Sequence, residues 1–245
     1  DAAPLPGDAM KPSPHVHRFM AAAMLAACGL PHAGVANVAL AQADYPTRPI
    51  RIVVAYPPGG SNDFLARLFG PKLTDIFGKQ VVVDNRGGGN TIIGTDLVAK
   101  APPDGYTLLL AGSSSIAISQ IYRNVPFDVI KDFTPIALVV TSWTVFAVNP
   151  KVPANTLPEL VAYSKTHPVR YGSGGIGGVL HIAGEMLKSL AGVNVTHVPY
   201  RSTALAMPDM IAGRIDYICE PIQTGLPFIQ QNSIKTMATL TRERW

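Results

Sequence analysis

Residues 50–77 read IRIVVAYPPGGSNDFLARLFGPKLTDIF, and this stretch decides the fold class. Residues 50–55 form a short apolar run rich in β-branched side chains, the pattern of a strand covered on both faces. Pro57-Pro58-Gly59-Gly60 stops the strand. Phe64, Leu65, Leu68, Leu73 and Phe77 then recur at helical spacing, with Pro71 as a kink site. A buried strand feeding a helix through a glycine-rich turn is the repeating unit of an α/β domain.

Working outward, the alternation continues. Strands are expected at 81–83, 107–110, 169–171, 194–198 and 215–219, and helices at 92–100, 156–165, 179–190 and 203–212. Thr156-Leu157-Pro158-Glu159 has the form of a capping box. An extended region over 136–148 separates two alternating sets. The predicted architecture is α/β, two lobes with mostly parallel sheets around a cleft. The first lobe is expected over 44–142 and the second over 143–237.

The first 43 residues read as an export leader. Lys11 and Arg18 precede the apolar run FMAAAMLAACGL at 19–30. Pro31 breaks that run, and Ala39-Leu40-Ala41 and Ala41-Gln42-Ala43 both fit a small-x-small cleavage site. Met10 is a plausible start. Leu25-Ala26-Ala27-Cys28 resembles a lipoprotein box, so membrane anchoring through Cys28 stands as the alternative to periplasmic release.

Composition excludes several classes. Beyond the leader no apolar run reaches the roughly 20 residues of a membrane span. From Asp44 onward 18 Lys/Arg face 14 Asp/Glu, scattered singly, so no basic track for a nucleic acid exists. Cys219 has no partner for a disulfide in that part, and no Cys/His spacing suits a metal. No cofactor is expected.

Two segments carry the chemistry, and each joins a strand to a helix. One is Tyr56-Pro57-Pro58-Gly59-Gly60-Ser61-Asn62-Asp63; the other is Gly172-Ser173-Gly174-Gly175-Ile176-Gly177-Gly178. The first N–H groups of a helix lack partners and carry partial positive charge, so a carboxylate or phosphate is their natural guest. Tyr56, Gly59, Gly60, Ser61 and Asp63 are candidates in the first loop, and Ser173, Gly174, Gly175 and Gly177 in the second. Ser113, Ser114, His181, Arg201 and Thr203, near other strand-helix junctions, complete the candidate binding set. His181 is equally readable as a helix-packing residue, and Arg201 as a surface one. Neither loop has the Lys-Ser/Thr of a P-loop, and Ser113-Ser114-Ser115 lacks a nucleophile elbow. No catalytic set emerges. A protein that captures a small organic anion is favoured over an α/β enzyme acting on a carboxylated or phosphorylated metabolite, and over a receptor that senses without transport.

Further motifs occur in order: Tyr45-Pro46-x-Arg48-Pro49-Ile50, Val81-Val82-Val83-Asp84-Asn85-Arg86, Pro103-Asp104-Gly105-Tyr106-Thr107, Asp132-Phe133-Thr134-Pro135, His181-x-Ala183-x-Glu185 and His197-Val198-Pro199-Tyr200-Arg201. With the Pro-Pro-Gly-Gly-x-x-Asp63 loop, they make residues 45–245 closely similar to the Bug-type extracytoplasmic solute receptors of tripartite tricarboxylate transporters. The resemblance implies a type II periplasmic-binding-protein fold, a mono-, di- or tricarboxylate held by backbone N–H groups and water at the two loops, and a monomer docking to membrane permease subunits. Two turns depart from the family pattern. Gly177-Gly178 replaces Gly-Ser, and Gly87-Gly88-Gly89-Asn90-Thr91 replaces Pro-Gly-Ala-Gly-Gly. The family continues past Arg242-Glu243-Arg244, so the resemblance also implies that 238–245 starts a return to the first lobe and that this lobe is C-terminally truncated.

Overall fold

The computed structural model describes residues 45–241. The expected leader, Cys28 included, and residues 242–245 lie outside the described residues.

The first sheet has three parallel strands in the order β2-β1-β3: β1 Ile50–Val54, β2 Val81–Asn85 and β3 Thr107–Leu110. β1 lies at the centre, Ile52 opposite Val83 on one side and Leu108 on the other. Ile52 and Val54 pack with Ala66 of helix α1, Ser61–Phe77, which covers one face of the strand, while Val53 is buried on the other. α1 ends at Gly78 in the left-handed conformation, with the Gly78 N–H donating to the Thr74 carbonyl at 2.9 Å. Pro71 lies inside the helix without ending it. Helices α2, Ile92–Ala99, and α3, Ser113–Ile121, follow β2 and β3.

The second sheet has five strands in the order β6-β5-β7-β4-β8. β5 Val169–Ser173 runs parallel to β6 Val195–Pro199 and β7 Tyr217–Pro221. β4 Thr144–Val148 is antiparallel to β7 and to β8, Lys235–Thr239. Helices α4 Leu157–Ser164, α5 Val179–Ala191, α6 Thr203–Ala212 and α7 Ile222–Gln230 complete this lobe. Alternation along the strands sends Tyr171, Tyr217, Cys219 and Phe146 to one buried face, and Val145, Ala147 and Ile218 to the other with Met207 and Met210. The architecture is the expected α/β one, with an all-parallel first sheet and a second sheet that joins parallel β6-β5-β7 to antiparallel β4 and β8.

Several details differ from the sequence reading. Of the extended region at 136–148, only Thr144–Val148 forms a strand, because β7 and β8 pair with it there while residues 133–143 have no ladder neighbour among the described residues. β7 starts two residues later than expected; Asp216, just ahead of it, exchanges hydrogen bonds with Arg170 instead. β8 pairs with β4 as far as Thr239, so the second sheet extends beyond residue 237. No described helix is long and apolar enough to cross a membrane.

Candidate functional site

In a parallel sheet all strands deliver their following helices to the same edge. α1, α3, α5 and α6 therefore open at the carboxyl ends of β1, β3, β5 and β6. Their N-cap residues are Gly60, Gly112, Gly178 and Ser202, and none of these four makes a side-chain cap bond.

The four helix starts touch one another in sequence. The first loop meets α3 at Gly112, where an added Cβ would sit 2.6 Å from the Tyr56 hydroxyl and 2.8 Å from Asn62 Nδ2, so only glycine fits. Burial raises the Tyr56 pKa above the ordinary phenol value, against the polar influence of nearby Ser115 and Ser114. α3 meets α5 where Ser114 Oγ accepts the Val179 N–H at 3.2 Å. The second loop meets α6 at Gly174, whose Cβ position lies 3.5 Å from Ser202 Cα and 3.7 Å from the Thr203 nitrogen.

The first loop is shaped by a charge. Asp63 is buried, accepts the Gly59 N–H at 2.9 Å, and pairs with Arg67 Nε at 3.0 Å through both oxygens. Arg67 also donates to Asn85 Oδ1 at 3.1 Å, and Asn85 Nδ2 to the Tyr56 carbonyl at 3.2 Å. Burial opposes ionisation of Asp63, but the bonds from Arg67, Gly59 and Asn85 outweigh it and hold the carboxyl below its ordinary range. Asp63 thus points into its own loop, while Ser61 and Asn62 present the uncapped first turn.

The second loop is shaped by neutral groups. Ser173, fully buried, bonds His197 Nε2 at 2.7 Å and accepts the Gly175 N–H at 3.1 Å. His181 Nδ1 accepts the Gly177 N–H at 3.2 Å, which fixes its proton on Nε2. The two imidazoles lie 4.3 Å apart, and Tyr171 stacks against His197 while donating to Glu185 at 2.7 Å. Burial depresses the His197 pKa against the pull of Glu185. The N–H groups of Gly175 and Gly177, two of the expected ligand donors, are therefore directed inward.

Arg201 is exposed in the turn between β6 and α6, and it makes no ion pair among the described residues. Thr203 is buried at the first position of α6, behind Ser202, whose Oγ is buried and has no partner. Ser113 is exposed at the first position of α3. Glu220, fully buried at the end of β7, has its carboxyl pKa raised by burial against bonds from Thr224 and Thr203. Asn62, Ser202, His197 and Glu220 were not among the sequence candidates; the position of Asn62 at a helix start was the one legible signal. Among the described residues no cluster of three His, Cys, Asp or Glu could hold a metal.

The comparisons with known proteins agree on one family. The model described as "Tripartite tricarboxylate transporter family receptor" matches residues 65–245. The protein BugT of Bordetella pertussis is 34% identical over 226 residues, which are 90% of this chain and 69% of BugT. A solved R. palustris protein with adipate superimposes with a TM-score of 0.79 at 31% identity, covering 82% of this chain and 69% of that one. MatC from Rhodopseudomonas palustris with bound malate gives 0.76 at 27% identity, covering 82% and 69%. The chain spans 60% to 71% of the length of curated relatives that it matches.

Proposed function

Because this chain belongs to the tripartite tricarboxylate transporter family of receptors, we propose that it is an extracytoplasmic solute-binding protein that captures a small carboxylate for a membrane permease. It acts by binding and closing, without chemical turnover. The single observation that carries this reading is the run of four touching helix starts, α1, α3, α5 and α6, each without a side-chain cap from its own N-cap residue. Each start offers N–H donors and a fraction of positive charge to a carboxylate. Two such starts per lobe suit a ligand with a carboxylate at each end. That adipate and malate occupy two structural relatives is consistent with it.

In this reading Ser61, Ser113, Ser114, Gly174 and Thr203 line the ligand, with Tyr56, Gly59, Gly60, Ser173, Gly175 and Gly177 shaping the walls. Asp63 and His181 hold the two loops, and Arg201 supplies long-range attraction at the rim. Export to the periplasm, a monomeric state and docking to permease subunits belong to the same proposal. The test is calorimetric titration of the purified chain with a panel of C3 to C6 mono-, di- and tricarboxylates. Saturable binding of at least one acid, lost when that acid's own carboxylates protonate, is the expected result. No binding across the panel, or turnover of any member, would overturn it.

A further inference from the structure

We propose that Asn90 and Tyr122 of the first lobe are positioning residues that grip the Ile176 carbonyl in the second lobe, forming a latch that sets how readily the lobes close. The capture reading above enters only through the effect of closure on ligand affinity. The Ile176 carbonyl accepts two hydrogen bonds from separate elements: Asn90 Nδ2 at 3.1 Å, from the turn before α2, and the Tyr122 hydroxyl at 2.8 Å, from the end of α3. A carbonyl has two lone pairs, and both are used. The acceptor is main chain, so the exposed Ile176 side chain is not what the latch reads.

Two further observations mark this contact as built. Asn90 and Thr91 are consecutive non-glycine residues with φ of 50° and 80°. Asparagine tolerates that region, but a β-branched threonine does so at a cost, and Thr91 is also buried with its Oγ1 unpartnered. Strain of this kind persists only where surrounding structure holds it in place. What the turn achieves is to lay the Asn90 amide along the second loop. Cβ positions on Gly175, Gly177 and Gly178 would lie 3.8, 3.6 and 3.4 Å from its amide atoms. A Cβ on Gly177 would also come within 3.0 Å of the Tyr122 ring and of Ile121. A side chain at Gly177 would crowd Tyr122, while the Asn90 amide lies in ordinary contact range of all three positions. The latch therefore couples the loop to the opposite lobe, beside the Ser114–Val179 bond.

The experiment measures closure directly on the ligand-free full chain. Nitroxides are placed by Ile76→Cys and Leu190→Cys, both exposed positions, one on each lobe, in a Cys28→Ser background, and their separation is read by pulsed electron resonance. A closed population is expected in the parent. Asn90→Gly, which relieves the backbone strain, and Tyr122→Phe should each move the closed-to-open ratio toward open by about fivefold, the worth of one hydrogen bond. Matching thermal melts show that the fold is intact. Unchanged distances in both variants, or a parent with no closed population, would overturn the latch. Because no ligand is present, this outcome is independent of whether the chain binds a carboxylate.

Discussion

α4 and α5 begin in opposite ways. At α4, Thr156 Oγ1 accepts the Glu159 N–H at 3.3 Å, and Glu159 Oε2 accepts the Asn155 N–H at 2.8 Å. The first is the forward bond of a capping box, and the second reaches back one residue beyond the N-cap, to Asn155. At α5 the N-cap is Gly178, and the Val179 N–H is bonded to a hydroxyl of the other lobe. The difference follows from strand direction. β4 runs antiparallel to β7, so α4 starts at the edge opposite to the one where α5 and α6 start. α4 at one edge carries its own cap, whereas α1, α3, α5 and α6 at the other have no side-chain cap from their N-cap residues.

The largest effect that would break this comparison is on the cleft side. Gly175 has φ of +128°, where an L side chain is strained, and it faces the Tyr200 carbonyl. Gly175→Val should weaken carboxylate affinity by about a hundredfold, by distorting the loop that presents the neighbouring Gly174 N–H, at the upper range for one charge-assisted bond, and should lower the melting temperature as well. Gly60 sharpens the point, because its φ is −81° and the nearest atom to an added Cβ is 3.8 Å away. Gly60→Val should lose only about 1 kcal/mol of stability, the cost of a poorer helix N-cap, yet bind at least about tenfold more weakly, since one such bond is worth about 1.5–3 kcal/mol. Unchanged titration curves would remove the first loop from the ligand site.

Next in size are the two devices that shape the loops. Asp63→Asn should cost about 1 kcal/mol of stability in denaturant melts at pH 7, the scale of a partly exposed ion pair. The Asp63 carboxyl is held below its ordinary value of 3.8, so its contribution is present above that value and fades as pH falls through it. The second loop responds at higher pH. His197 has its pKa depressed below the ordinary 6.5, so its stabilising contribution is full above that value and is lost as pH falls below it. Melts of the parent should therefore weaken below pH 6.5 more steeply than melts of His197→Gln. Parallel pH profiles would contradict the assignment.

The smallest effect on binding belongs to the control helix. Thr156→Ala should lower stability by about 1 kcal/mol and leave carboxylate affinity unchanged within error. A change in affinity would show that the capped edge also takes part.

Much of the fold was legible because strong local signals coincide with tertiary demands. The apolar run of β1 and the periodic face of α1 are consistent at both levels. α3 escaped notice because it opens with three serines, and α7 because Gly225 and Pro227 interrupt its pattern. The reversal of β4 is a matter of pairing between distant strands, which periodicity does not encode. At the candidate site, glycine-rich turns after strands were readable, and so was the uncapped start of α1. The inward use of the Gly175 and Gly177 N–H groups was not, since it depends on His181 and on Ser173 braced by His197 from the neighbouring strand β6. The placement of Asn90 was hidden for the same reason, its partner being 86 residues away.

The most direct test of the central claim is an amide NMR titration of the nitrogen-15-labelled chain with adipate and malate. Uncapped helix starts that bind a carboxylate should show saturable shifts at Ser61, Asn62, Gly174 and Thr203, while Leu157 and Glu159 at the capped start of α4 stay fixed. Shifts confined to residues away from those helix starts, or equal movement at α4, would contradict the account.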